Sequence, residues 1–119
     1  MSASGKGILA ADEAPSTMVS KFNGIGVDPS VENIRAYREL LFTAPEIEQF
    51  ISGVIMFEST LGQRTADGTM SFKDVLDNRG IIIGMNVDKG FVTIGGTTGE
   101  EPASQGLDGL AERCQSYYA

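Results

Sequence analysis

Three continuous apolar runs organise the chain, and each ends abruptly in charge. Gly7-Ile8-Leu9-Ala10-Ala11 runs into Asp12-Glu13, Val54-Ile55-Met56-Phe57 into Glu58, and Ile81-Ile82-Ile83-Gly84-Met85-Asn86-Val87 into Asp88-Lys89. Runs without alternation suit strands of a parallel sheet covered on both faces. Between them the period changes. A stretch of small and polar residues from Asp12 to Gly26 reads as a loop or short helix ending in a turn. Asp28 with Pro29 just inside, or Ser30 one step later, then caps a helix. Glu32 lies in its first turn, and Ile34, Tyr37 and Leu41 form its apolar face. Glu46 to Phe50 adds a short helix before the second strand.

A polar loop around Asp67-Gly68 comes after Glu58. Ser71 with Asp74 three residues on predicts a capped helix, with Phe72, Val75 and Leu76 buried and Gly80 as its stop. After the third strand comes a glycine-rich segment, Gly90 to Gly106. Phe91 to Ile94 has short strand character there, and Gly95 to Glu100 reads as a structural loop or hairpin. Leu107, Leu110, Ala111 and Cys114 give the face of a last helix, with Cys114 an inert buried thiol. The order is βα-βα-βα, an α/β arrangement of parallel strands joined by crossovers.

Composition narrows the chemistry. A net charge of −7 with nine scattered basic residues excludes a general nucleic-acid binder, which needs clustered Lys and Arg. No apolar stretch approaches the roughly 20 residues of a membrane-spanning helix, and the run after Lys6 is too short for a secretory signal. A single cysteine excludes an internal disulfide, which fits a reducing compartment. Without histidine, acid–base work falls to Asp, Glu, Lys or Tyr.

Charged groups at the carboxyl ends of parallel strands lie where α/β proteins place their chemistry. Asp12 and Glu13 are adjacent and point to opposite sides of a strand, so one faces a pocket and the other caps the next loop or helix. Asp88-Lys89 reads as a solvated ion pair, with phosphate contact or Schiff-base chemistry as alternatives. The Gly95 to Glu100 segment lacks the Gly-Lys-Ser/Thr ending of a P-loop. A receiver-like signalling domain would share the length, the acidic pair and an aspartate after strand three (Asp88). The missing fifth strand and the glycine-rich segment after Lys89 count against it.

Gly5-Lys6-Gly7-Ile8-Leu9-Ala10-Ala11-Asp12-Glu13 closely resembles the opening strand of the class I fructose-bisphosphate aldolases. The resemblance continues through Asn33 to Thr43, Ile51 to Glu58, Val87-Asp88-Lys89-Gly90 and Gln105 to Cys114. It implies a partial (β/α)8 TIM barrel, about its first three βα units, not closed. Residues 1–119 would then be the N-terminal portion of a single aldolase domain. It further implies reversible cleavage of fructose 1,6-bisphosphate into dihydroxyacetone phosphate and glyceraldehyde 3-phosphate in glycolysis. The reaction would run through a lysine Schiff base with no metal or other cofactor, in a cytoplasmic homotetramer.

By the same resemblance Asp12 is the catalytic aspartate of strand one, and Thr17, Lys21 and Asn86 are substrate-binding positions. Lys21 replaces a phosphate-binding arginine, and so loses its bidentate fork. Asn86 replaces an active-site lysine and supplies an amide but no positive charge. The family's nucleophilic lysine, catalytic glutamate and second phosphate site correspond to positions after Ala119. These 119 residues alone are therefore expected to be inactive and marginally stable, with open strand edges. The alternative is a truncated non-catalytic paralogue, acting as an interaction module or without function.

Overall fold

The computed structural model describes residues 3–96 and 101–118, in two compact units divided after Asn86. The first unit is built on three parallel strands, β1 (Gly7–Ala11), β2 (Ile51–Met56) and β3 (Ile82–Met85), in the order β1-β2-β3. Its helices are α1 (Pro15–Gly24), α2 (Val31–Phe42), α3 (Ile47–Phe50), α4 (Glu58–Leu61) and α5 (Phe72–Asp77).

The three apolar runs are indeed parallel strands, but the sheet is covered on one face. Leu9, Ala11, Val54, Met56, Ile83 and Met85 alternate toward a core completed by Phe42, Ile47, Phe72, Val75, Leu76 and Ile81. The intervening residues form the other face, where Ile8 is 46% and Ile82 51% exposed. The expectation of covering on both faces is therefore corrected. The sequence pattern carries apolar residues for two faces, and these helices cover only one.

Several boundaries moved for local reasons. Residues 15–24, expected as loop or short helix, form a ten-residue helix with Pro15 in its first turn and Met18 and Phe22 buried. Ser30, not Asp28, caps α2, its Oγ accepting from the Asn33 N–H at 3.2 Å. The buried line of α2 is Arg38 and Phe42, while Ile34, Tyr37 and Leu41 are half-buried. The helix is thus rotated by about one residue from the predicted face. Glu58 opens a one-turn helix rather than leading straight into a loop.

The start of α5 is as predicted. Ser71 Oγ accepts from the Asp74 N–H at 3.0 Å, and Asp74 Oδ2 accepts from the Ser71 N–H at 3.1 Å. Phe72, Val75 and Leu76 are buried. Because a six-residue helix has little intrinsic stability, Ser71→Ala is expected to cost about 1 kcal/mol. Urea unfolding monitored by circular dichroism checks this; an unchanged midpoint would show that tertiary packing alone holds α5.

The second unit holds an antiparallel pair, β4 (Phe91–Thr93) with β5 (Pro102–Ser104), and α6 (Leu110–Tyr118). The hairpin reading of this segment holds, although residues 97–100 of the expected turn lie outside the described residues. Gly106 has φ +116°, and a Cβ there would lie 2.8 Å from the Val87 carbonyl oxygen. Arg113 fastens the same place, donating to the Val87 oxygen at 3.0 Å and to that of Gly106. Two predictions fail in this unit. Leu107 lies before α6 and is 82% exposed, and Cys114 is exposed rather than buried. A hairpin with three residues per strand offers too little apolar surface for a helix face to cover.

Candidate active site at the carboxyl end of the parallel sheet

Asp12 and Glu13 leave the end of β1 in opposite directions, as strand alternation requires. Register fixes where each goes. Ala11 pairs with Met56 and Met56 with Met85, all three on the core side. Asp12 and Asn86, each one residue further on, therefore lie on the opposite, uncovered side. There the Asn86 Nδ2 donates to Asp12 Oδ2 at 2.9 Å, joining the ends of β1 and β3 across β2. The Asn86 N–H also donates to the Met56 carbonyl at 2.8 Å, which extends the ladder by one rung. Both residues are half-buried. A carboxylate held there, with a neutral amide as donor, can orient a hydroxyl or exchange a proton.

Glu13 turns to the helix side. It does not cap the next helix, whose N-cap is Ala14 with no side-chain hydrogen bond. Its Oε1 lies 2.7 Å from Lys21 Nζ and its Oε2 lies 2.6 Å from Arg38 Nη1. Partial burial raises its pKa, but the bonds from Lys21 and Arg38 outweigh that and hold it at about 2. The Lys21 ammonium is raised correspondingly, first by the hydrogen bond to Glu13.

Of the predicted positions, the fold thus joins Asp12 with Asn86. Thr17 and Lys21 lie on α1, four residues apart on one exposed helix face, and Lys21 reaches Glu13 rather than Asp12. Asp88, read as half of an ion pair with Lys89, accepts from the Gly90 N–H at 2.8 Å and shapes a turn.

Arg38 was missed. The signal was the spacing Ile34-Arg38-Phe42, one residue per helical turn, beside two carboxylates of unassigned partner. A cavity of about 200 Å³ is lined by the Glu13–Arg38 pair, by the apolar Pro15, Met18, Val31 and Ile34, and by the polar Ser59, Thr60 and Gln63 in and just after α4.

The whole chain, residues 1–119, matches the family model described as glycolytic fructose-bisphosphate aldolase class-I. The chain belongs to the class I fructose-bisphosphate aldolase family. It is 53% identical over 116 residues to fructose-bisphosphate aldolase C-B of Danio rerio, a match covering 97% of this chain and 31% of the relative. It is 54% identical over 117 residues to the fructose-bisphosphate aldolase of Dictyostelium discoideum, covering 98% and 32%. Among solved structures, a Plasmodium falciparum fructose-bisphosphate aldolase superposes with a TM-score of 0.92 at 47% identity, covering 98% of this chain and 33% of that one. That enzyme was crystallised with TRAP and a small-molecule inhibitor. The chain spans about a third of the length of the aldolases it matches. The exposed sheet face is therefore what a partial, unclosed TIM barrel presents.

Among the described residues, no helix is long and apolar enough to cross a membrane, and no group of three Asp, Glu or Cys is placed to hold a metal ion.

Proposed function

We propose that this chain forms the N-terminal portion of a single (β/α)8 domain of a class I fructose-bisphosphate aldolase. In this reading the enzyme reversibly cleaves fructose 1,6-bisphosphate to dihydroxyacetone phosphate and glyceraldehyde 3-phosphate through a lysine Schiff base. It is a cytoplasmic homotetramer; relatives named cytosolic or cytoplasmic isozymes support the location. The observation that carries the reading is Asp12, fixed by Asn86 at the carboxyl end of β1 in a chain more than 50% identical to aldolases over nearly all its length.

Asp12 orients a substrate hydroxyl and sets the local charge for the nucleophilic lysine. Thr17 and Lys21 contact a phosphate group. The uncapped first turn of α1 supports that role, since its N–H groups and positive dipole end favour an anion. Asn86 holds Asp12 and offers the substrate a neutral hydrogen-bonding group.

The native protein carrying this chain, isolated from its source, is expected to cleave fructose 1,6-bisphosphate in the presence of EDTA. Borohydride added with dihydroxyacetone phosphate should inactivate it by reducing the Schiff base. Inhibition by EDTA together with indifference to borohydride would sink the assignment. The 119-residue chain by itself is expected to show no turnover in the same assay.

A further inference from the structure

The two cations on Glu13 are not equivalent. Arg38 is 1% exposed and donates both to Oε2 at 2.6 Å and to the Glu13 backbone carbonyl at 3.3 Å. Lys21 meets Oε1 at 2.7 Å from a side chain that is 54% exposed. One carboxylate and two cations leave the trio with a net positive charge. If Lys21 departs, Glu13 is still compensated by Arg38; if Arg38 were lost, a partly buried carboxylate would depend on a solvated lysine alone.

We propose that Glu13 is a positioning residue that parks the Lys21 ammonium and yields it to an arriving phosphate monoester, while Arg38 retains the carboxylate. This rests on the reading of Lys21 as a phosphate-binding residue. The physical case is one of asymmetry. An ion pair with so exposed a partner is weak, whereas a phosphate near two negative charges offers the same ammonium a stronger acceptor. Lysine suits such an exchange because its point charge swaps one anion for another without the fixed two-pronged geometry of a guanidinium. Glu13 thereby lowers the intrinsic phosphate affinity of Lys21 and keeps its side chain ordered between encounters.

The test is a titration of the 119-residue chain with inorganic phosphate at low ionic strength, observed by NMR of the lysine Cε and glutamate Cδ carbons. The Lys21 and Glu13 resonances are expected to move together with one dissociation constant. Glu13→Gln is expected to bind phosphate about two- to fivefold more tightly, the range set by an exposed pair, and Lys21→Met to lose that binding. A structural role for Glu13 alone would not tighten binding. If Lys21 responds while Glu13 stays still, or if folded Glu13→Gln binds no more tightly, the exchange is overturned and the phosphate role of Lys21 survives. If neither resonance moves and Lys21→Met binds as the parent does, the phosphate role fails and the exchange with it. Should Glu13→Gln not fold, the titration of the parent chain decides alone.

Discussion

Phe72→Ala is expected to unfold the first unit at room temperature. Phe72 is fully buried where α5 meets α2 and the sheet, and its ring meets that of Phe42 edge-on, with centroids 5.3 Å apart at 80°. Emptying such a site costs about 3–5 kcal/mol, from lost transfer energy and the cavity left behind. A unit of this size has a total stability of about 4–13 kcal/mol. Two sheet edges and an uncovered apolar face, with Ile8 and Ile82 about half exposed, put it toward the low end. The loss is therefore comparable to the whole margin. Loss of the cooperative urea transition, with dye binding to exposed apolar surface, is the expected result. Phe72→Leu, which keeps most of the volume, should retain the transition. A Phe72→Ala protein whose stability lies within about 1 kcal/mol of the parent would place the core elsewhere.

Acid is expected to remove about 1–3 kcal/mol of stability through Glu13, less than the full shift because its Lys21 partner is solvent-exposed. Its carboxyl titrates at about 2 in the folded chain against a reference value of 4.5. One pKa unit corresponds to about 1.4 kcal/mol. The sign is set by the lowered value. The unfolded chain takes up the proton first, so the contribution is fully present above about pH 4.5 and is lost as pH falls through the folded value. Desolvation opposes the shift and the bonds from Lys21 and Arg38 win. Asp67, also lowered to about 2, chiefly by the Thr65 hydroxyl, adds to the slope in the same window. The difference between the parent and Glu13→Gln isolates the Glu13 part. Urea midpoints measured from pH 6 down to pH 2 should diverge least at low pH; parallel curves would show that Glu13 titrates normally.

The capping box at Ser71 and Asp74 was legible because its donors and acceptors lie within one helical turn, where sequence spacing is spatial distance. The strand runs were legible for the same reason. The orientation of α2 was not. Apolar spacing predicts its buried face on Ile34, Tyr37 and Leu41, whereas the helix is turned so that Arg38 is 1% exposed. Only a carboxylate 25 positions away makes that tolerable. Periodicity alone predicts a buried face for Cys114, and periodicity does not say whether a partner surface exists.

The sequence by itself determined the three strand runs, the α/β order, the caps of α2 and α5 within a residue or two, and, by resemblance, the aldolase family. It also required Asp12 and Glu13 to part ways, since neighbours on a strand cannot share a face. Tertiary structure alone decided which went where. Parallel register carried Asp12 to the uncovered side and to Asn86, 74 positions away in sequence. The placement of α1 beside α2 gave Glu13 to Lys21 and Arg38. Those pairings depend on strand register and helix rotation, quantities that local spacing along a chain does not contain.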